Sequence, residues 1–254
     1  MVKTAFVTGG SHGIGKAAAI ELAHAGYNVG ISYRSNPEGA EETLGQIKAA
    51  GADGFAVCVD LSKLSEVNIL FDTIRERFGA VDVFVNNAGQ TKYAPFLDVS
   101  PEMFENLVGL DYRGAFFCAQ AAAKDMIAAG KKGSIINISS VHRLQNYPTA
   151  SVYGSVKAAV YKLTQHIALE LAPYGIRCNS ISPGYIKTGD PAVVSDRERM
   201  FISRIPAHRV GSTADIAKAI RYLVSDDASF VTGIDIPVDG GALLPAMQDN
   251  KYYV

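Results

Sequence analysis

Within the stretch SVYGSVKAAV, residues 151–160, Tyr153 and Lys157 stand four positions apart at the head of an apolar helical pattern. Residues at that spacing share one face of a helix. A phenol exchanges its proton near neutral pH only when a nearby cation favours the anion, so the pair has the makings of a tuned acid or base. Of the 12 tyrosines, Tyr153 alone has a lysine four positions later. A surface ion-pair spacing would look the same, but it leaves unexplained Ser140, thirteen residues earlier at the end of an apolar run. A second constellation lies near the start of the chain. In TGGSHGIGK, Gly9, Gly13 and Gly15 fall between an apolar run and a helical pattern. Missing side chains there let backbone amides approach a phosphate, and a helix N-terminus adds its positive dipole. Glycines also serve plain tight turns. The Gly-x-x-x-Gly-x-Gly spacing is longer than G-x-G-x-x-G, although Gly13, Gly15 and Ala18 fit the alanine variant.

The elements that must position these residues are short. TAFVTG, NVGISY, GFAVCV, VDVFVNNAG, GSIINISS, IRCNSISPG and IDIPVDGG are almost continuously apolar, as strands covered on both faces must be. Between them, residues 17–25, 41–50, 67–78, 103–128, 156–171 and 214–224 repeat apolar side chains every three or four positions. Strand and helix alternating throughout predicts βαβ units: an α/β fold, a doubly wound parallel sheet of Rossmann type, in a single domain over residues 1–254. Its ligand belongs at the carboxyl ends of the strands.

Composition excludes other classes. The 24 lysines and arginines nearly balance the 25 acids and no basic tract occurs, so nucleic acid is not an expected partner. No run approaches the roughly 18 apolar residues of a membrane span and no leader precedes the first strand, which points to the cytoplasm and away from membranes. Cys58, Cys118 and Cys178 are scattered through apolar runs and read as reduced core residues, not as disulfide partners or zinc ligands. His24, His166 and His208 have no carboxylate or cysteine at ligand spacing, so no metal is expected.

Six motifs carry a resemblance. TGGSHGIG, NNAG at 86–89, ISS at 138–140, YGSVK at 153–157, PGYIKT at 183–188 and VDGG at 238–241 span nearly the whole chain in order. This series resembles that of the short-chain dehydrogenases/reductases. SYRSN, SSVH and the run from 133 to 189 look most like the glucose 1-dehydrogenase branch. The resemblance implies an NAD(P)-dependent oxidoreductase that interconverts a secondary alcohol, or a sugar or polyol hydroxyl, and a carbonyl. In that reading Tyr153 protonates the alkoxide left by hydride transfer, Lys157 supports it and reaches the nicotinamide ribose, and Ser140 polarises the carbonyl as an oxyanion-hole donor would. Ser139 serves the backbone. Gly9, Ser11, His12, Gly13, Ile14 and Gly15 surround the cofactor phosphates. Asp60, with Leu61 beside it, meets the adenine; an N-cap role for Asp60 stays open. Asn87, Ala88 and Gly89 support the ribose, and Pro183, Gly184, Ile186 and Thr188 hold the carboxamide. A 3-oxoacyl-thioester reductase shares the pattern. A catalytically silent dinucleotide-binding module on the same fold is the reading of another class, and it has no need of Ser140, Tyr153 and Lys157 together.

Several features refine this picture. The second strand ends in ISYRSN, with Tyr33 where an acid would bind the ribose hydroxyls and Arg34 and Ser35 following. That favours NADP(H), with NAD(H) possible, unless Arg34 is a solvated surface charge. Asp111, in LDYRGAF, replaces the family's asparagine; it either faces Lys157 or turns to a backbone amide or Arg113. His142, two residues after Ser140, either meets substrate or is a loop residue. The polar segment 189–209 suits a substrate lid. Apolar and small residues on several faces of 103–128 and 154–172, including Ala158, Ala159, Ala168, Leu169 and Ala172, let one face pack on the sheet while another meets a twofold mate. The resemblance implies a homotetramer, and the tail from Ala242 is placed to cross to a neighbour.

Overall fold

Each apolar run becomes a strand of one sheet. In the computed structural model, which describes residues 2–189 and 195–244, these are β1 (Thr4–Val7), β2 (Asn28–Tyr33), β3 (Gly54–Cys58), β4 (Val83–Asn86), β5 (Ser134–Ile138), β6 (Arg177–Pro183) and, last in sequence, β9 (Asp235–Val238). They pair in the order β3-β2-β1-β4-β5-β6-β9, every pairing parallel. The order reverses between β1 and β4, and such a switch point opens a crevice at the strands' carboxyl ends. The helices are α1 (Gly13–His24), α2 (Pro37–Ala49), α3 (Leu64–Phe78), α4 (Pro101–Leu107), α5 (Ala115–Ala128), α6 (Ser151–Leu171), α7 (Asp196–Ile202) and α8 (Thr213–Val224), and β7 (Ile186–Lys187) pairs with β8 (Gly211–Ser212) beside the sheet. The fold is a single Rossmann-type domain, as the alternating pattern predicts.

Side chains of successive strand residues face opposite ways, so two cores form. Ala5, Val7, Val29, Ile31, Val85 and Ile136 pack under Leu22 of α1 and Ile216, Ile220 and Leu223 of α8. Phe6, Phe55, Phe84 and Ile135 pack under Leu70 and Phe71 of α3 and Cys118, Ala122 and Met126 of α5. Each fully buried Leu, Ile or Phe is worth about 1.5–3 kcal/mol. Burying both faces is what makes the strands read as continuous apolar runs.

Differences from the sequence pattern are local and have causes. Helices begin earlier than their apolar periodicity, α1 at Gly13 and α6 at Ser151, because a first turn holds capping or ligand-facing residues in place of core ones. The stretch 103–128 is continuous but not uniform: between α4 and α5, Val108–Gly114 is a π-helical turn that contains Asp111. Of the three cysteines only Cys118 and Cys178 are core residues, their thiols pushed up by burial, Cys118 to about 12. Cys58 is exposed, correcting the expectation; it is the last residue of the edge strand β3. The segment 189–209, expected to suit a lid, contains α7, and its residues 190–194 lie outside the described residues, as does the tail from 245 onward. No helix among the described residues is long and apolar enough to cross a membrane.

Candidate active site

The crevice starts where β1 meets β4. Thr8 Oγ1 accepts hydrogen bonds from the Asn87 and Ala88 amides, both at 2.9 Å, and donates to the Val85 carbonyl at 3.3 Å. Asn87 Nδ2 returns the tie, donating to the carbonyls of Thr8 at 2.9 Å and Gly9 at 3.2 Å. Both amide hydrogens of Asn87 are thus spent on the glycine turn, so the side chain expected at the ribose first of all holds the turn closed. Gly15 is required by contact: a Cβ there would lie 2.2 Å from the Gly9 carbonyl oxygen and 2.4 Å from Asn87 Nδ2. The first turn of α1 has no acidic residue and no side-chain cap, which leaves its free amides and positive dipole end to a ligand. His12 is exposed, its Nδ1 3.2 Å from Ser11 Oγ.

At the far end of the crevice, Ser140 follows β5 and caps a short turn, Val141–Arg143. Its Oγ accepts the His142 amide at 3.2 Å, leaving the hydroxyl hydrogen as a donor to an oxygen in the cleft. Ser139 serves the backbone, donating to the Lys157 carbonyl at 2.8 Å. The Lys157 side chain turns back under Ser139: Nζ donates to the Ile138 carbonyl at 3.2 Å and lies 3.1 Å from Asp111 Oδ2 and 5.7 Å from the centre of the Tyr153 ring. Lys157 is only 6% exposed and Asp111 1%. Burial works to lower the Lys157 pKa, but the Asp111 carboxylate and the negative charge of an ionised Tyr153 outweigh it and the net shift is upward. The ammonium is therefore charged at neutral pH. Asp111 Oδ1 accepts the Gln90 amide at 2.9 Å, so the carboxylate meets a backbone amide and Lys157 at once. Arg113 turns away to the Ser62 carbonyl, 2.9 Å. At Gly89 a Cβ would come within 2.8 Å of Asp111 Oδ2.

Tyr153 stands half-buried among rings. Tyr93 and His142 meet it edge-on at 6.0 and 5.5 Å between centroids, and Tyr147 packs on both of them at 5.9 and 5.6 Å. Burial lowers the His142 pKa, opposed by the Gln145 main chain, so the imidazole is neutral at pH 7.

The expected site residues meet in two adjoining hollows. Ser140, Tyr153, Lys157 and Asp111 line a cleft of about 410 Å³ together with Gly9, His12, Gly13, Ile14, Gly15, Asn87, Ala88 and Gly89, and with Pro183, Gly184, Ile186 and Thr188 across from them. Ser11, Arg34, Ser35, Asp60 and Leu61 line a hollow of about 120 Å³ that shares Gly9, His12, Ala88 and Gly89. Asp60 is not the cap of α3, which starts at Leu64 behind Lys63. Its carboxylate instead accepts Ser62 N at 3.1 Å and Ser62 Oγ at 2.8 Å. Desolvation raises its pKa, but these bonds, helped by Arg34 and Lys63, bring the net shift down. Sequence reasoning missed Thr8, Gln90 and the ring neighbours Tyr93 and Tyr147. Only Thr8 left a signal, standing immediately before the glycines.

Residues 9–242 match the family model described as enoyl-(acyl carrier protein) reductase. The 3-oxoacyl-(acyl-carrier-protein) reductase FabG of Staphylococcus aureus is 37% identical, over 95% of this chain and 98% of its own. An L-rhamnose 1-dehydrogenase (NAD(P)(+)) of Azotobacter vinelandii is 42% identical, over 94% of this chain and 96% of its own. Among solved structures, acetoin dehydrogenase from Enterobacter cloacae superposes with a TM-score of 0.91 at 39% identity, covering 98% of each chain. A structure from Agrobacterium tumefaciens with bound NADP, described as a 2-deoxy-D-gluconate 3-dehydrogenase, superposes with a TM-score of 0.87 at 34% identity, covering 96% of this chain and 97% of its own. The relatives range over thioester, sugar and acetoin enzymes, and none singles out the glucose 1-dehydrogenase branch. Likeness at these identities over nearly the full length makes the chain a member of the short-chain dehydrogenase/reductase family and an oxidoreductase acting on CH–OH groups.

Proposed function

We propose that the protein is an NADP(H)-preferring dehydrogenase that interconverts a small secondary alcohol, a sugar or polyol hydroxyl included, and its carbonyl. The observation that carries this is the convergence of Ser140, Tyr153 and Lys157 on one cleft whose other end is the glycine turn. The residues fit a dinucleotide: the glycine turn has no room for a side chain at Gly15, the first turn of α1 has no side-chain cap on its free amides, and Arg34 and Ser35 stand exposed at the adjoining hollow. When bound, the nicotinamide supplies or takes up the hydride. In carbonyl reduction, the Ser140 hydroxyl donates to the substrate oxygen as negative charge grows there. Tyr153 gives that oxygen its proton, and the Lys157 ammonium supports the phenolate that remains. Alcohol oxidation runs the same steps backwards. Asp111 keeps the buried ammonium charged while offsetting part of its field. Tyr33 at the end of β2 brings no carboxylate against a 2′-phosphate, and the guanidinium of Arg34 can take one in a bidentate clasp.

The 3-oxoacyl-thioester reductase reading draws support from the Staphylococcus relative. A silent dinucleotide-binding module gives the clustered serine, tyrosine and lysine no purpose. We further propose a homotetramer: Leu169 is 75% exposed on α6 and Phe117 and Ile127 are exposed on α5, which leaves an apolar helix face for a twofold mate. A reducing cytoplasm suits three free cysteines. Purified protein with NADPH or NADP⁺ is to be assayed by nicotinamide absorbance against acetoin, L-rhamnose, other sugars and polyols, and a 3-oxoacyl thioester. Turnover of the alcohols or sugars is expected. Thioester turnover alone would favour the reductase, and tight cofactor binding without any turnover the silent module.

A further inference from the structure

Behind the cleft lies a second buried ion pair that the proposed chemistry does not use. Arg143 Nη2 is 2.7 Å from Asp235 Oδ2, and Arg143 Nε donates to the same oxygen at 3.0 Å and to Ser182 Oγ at 2.9 Å. Asp235 Oδ1 accepts from Ser180 Oγ at 2.5 Å and from Ser182 Oγ at 2.8 Å. The guanidinium carbon lies 4.4 Å over the ring of Tyr161 on α6. Both side chains are nearly sealed from water, 7% and 3% exposed. Taking two charges out of water offsets most of what their attraction returns, so such a pair is weak as a source of stability. What it does impose is geometry. A planar fork bonded to one carboxylate and one hydroxyl, and stacked on a ring, has one placement.

Arg143 is the last residue of the turn that Ser140 caps. Its amide donates to the Ser140 carbonyl at 3.0 Å, and the His142 amide between them donates to Ser140 Oγ. The chain of contact runs from β6 and β9 through the guanidinium to the turn, and through the His142 amide to the serine oxygen. We propose that Arg143 is a positioning residue, with Asp235 as its anchor: bolting this turn to the sheet fixes the direction of the His142 amide, and with it the direction in which the Ser140 hydroxyl hydrogen points. The proposal rests on the reading of Ser140 as the donor to the substrate oxygen.

A double-mutant cycle tests it, on whichever of acetoin, L-rhamnose or the 3-oxoacyl thioester is turned over fastest. Arg143→Lys keeps the charge and loses the fork. It is expected to lower kcat about tenfold, a fraction of what losing an oxyanion donor outright costs, to leave NADPH affinity within about twofold, and to raise the isotope effect with deuterated cofactor as the chemical step slows. In a Ser140→Ala background the same change should cost less than about twofold, because a residue acting through Ser140 has nothing left to aim. An equal loss in both backgrounds would overturn the proposal while leaving Ser140 in its role. A parental rate in Ser140→Ala alone would overturn the reading of Ser140 and the proposal with it. Should Arg143→Lys fail to fold, Ser182→Ala removes one bond to each partner without baring a charge and carries the same cycle, with a loss of a few-fold expected.

Discussion

The two ends of the crevice solve the handling of charge in opposite ways. At the catalytic end the ammonium of Lys157 is buried, flanked by a carboxylate and a main-chain carbonyl, and each of those is fixed by a further bond or by the core. At the nucleoside end Arg34 and Ser35 stand in solvent on the loop after β2. A buried charge is tuned by its neighbours and hardly feels salt, whereas an exposed one acts through a screened field. On the proposed reading, chemistry is set by buried groups and cofactor choice by exposed ones.

The largest expected effect breaks the catalytic end alone. Tyr153→Phe should lower kcat at least about a hundredfold, the usual worth of general acid catalysis, with NADPH affinity by fluorescence titration held within a few-fold; survival of a tenth of the rate would refute the assignment. Gly15→Ala strikes the junction of the two ends. A Cβ 2.2 Å from the Gly9 oxygen must displace the turn, at about 1–3 kcal/mol of overpacking, so thermal denaturation should show a lower Tm and both dinucleotides should bind more weakly. Arg34→Ala tests the exposed end. NADPH kcat/KM should fall about tenfold, with NADH unchanged, and salt should erode the wild-type preference for NADPH; a wild-type preference for NADH would sink the idea.

The smallest effect, and the sharpest, is expected of Asp111→Asn. Activity should persist, with the optimum for alcohol oxidation moved to lower pH: an ammonium no longer offset favours the phenolate more strongly, and burial opposed by Tyr153 alone makes Lys157 itself titrate earlier. Superimposable pH–rate profiles would show the carboxylate to be electrostatically silent. Stability gives an independent sign. A lysine raised in the folded state contributes stability that is whole below its unfolded pKa, about 10.4, and is lost as pH rises through the higher folded value. With the carboxylate gone, Tyr153 alone opposes burial, so the folded value falls and the stability lost on raising the pH should shrink. Thermal denaturation of both proteins from about pH 7 to 11 reads that difference.

The fold was legible because a strand buried on both faces has to be apolar along its whole length, as GSIINISS is. The cleft was legible because its residues cluster in motifs at strand ends and helix starts. What stayed hidden depends on contacts between distant elements. Nothing local in the sequence joins Arg143 to Asp235, 92 positions apart. The exposure of Cys58 follows from β3 lying at the sheet edge, which a run of apolar letters does not reveal. Asp111 could be named from its motif, but its approach to Lys157 is set by a turn geometry that leaves the apolar periodicity almost untouched.

That turn has a further consequence, best put as phase. A π-helical turn accommodates an extra residue, so the helix after it is rotated by roughly 100° against an unbroken α-helix. Leu107 before it packs with Val152 and Val156, whereas Cys118, Ala119, Ala122 and Met126 after it pack against the sheet-side core. One deletion within Val108–Gly114 would restore regular helical bonding and yet send either those core residues or the carboxylate of Asp111 to the wrong side. The stretch is therefore far less tolerant of a change in length than of a change in sequence, and the extra residue that looks like an irregularity keeps packing and chemistry in register.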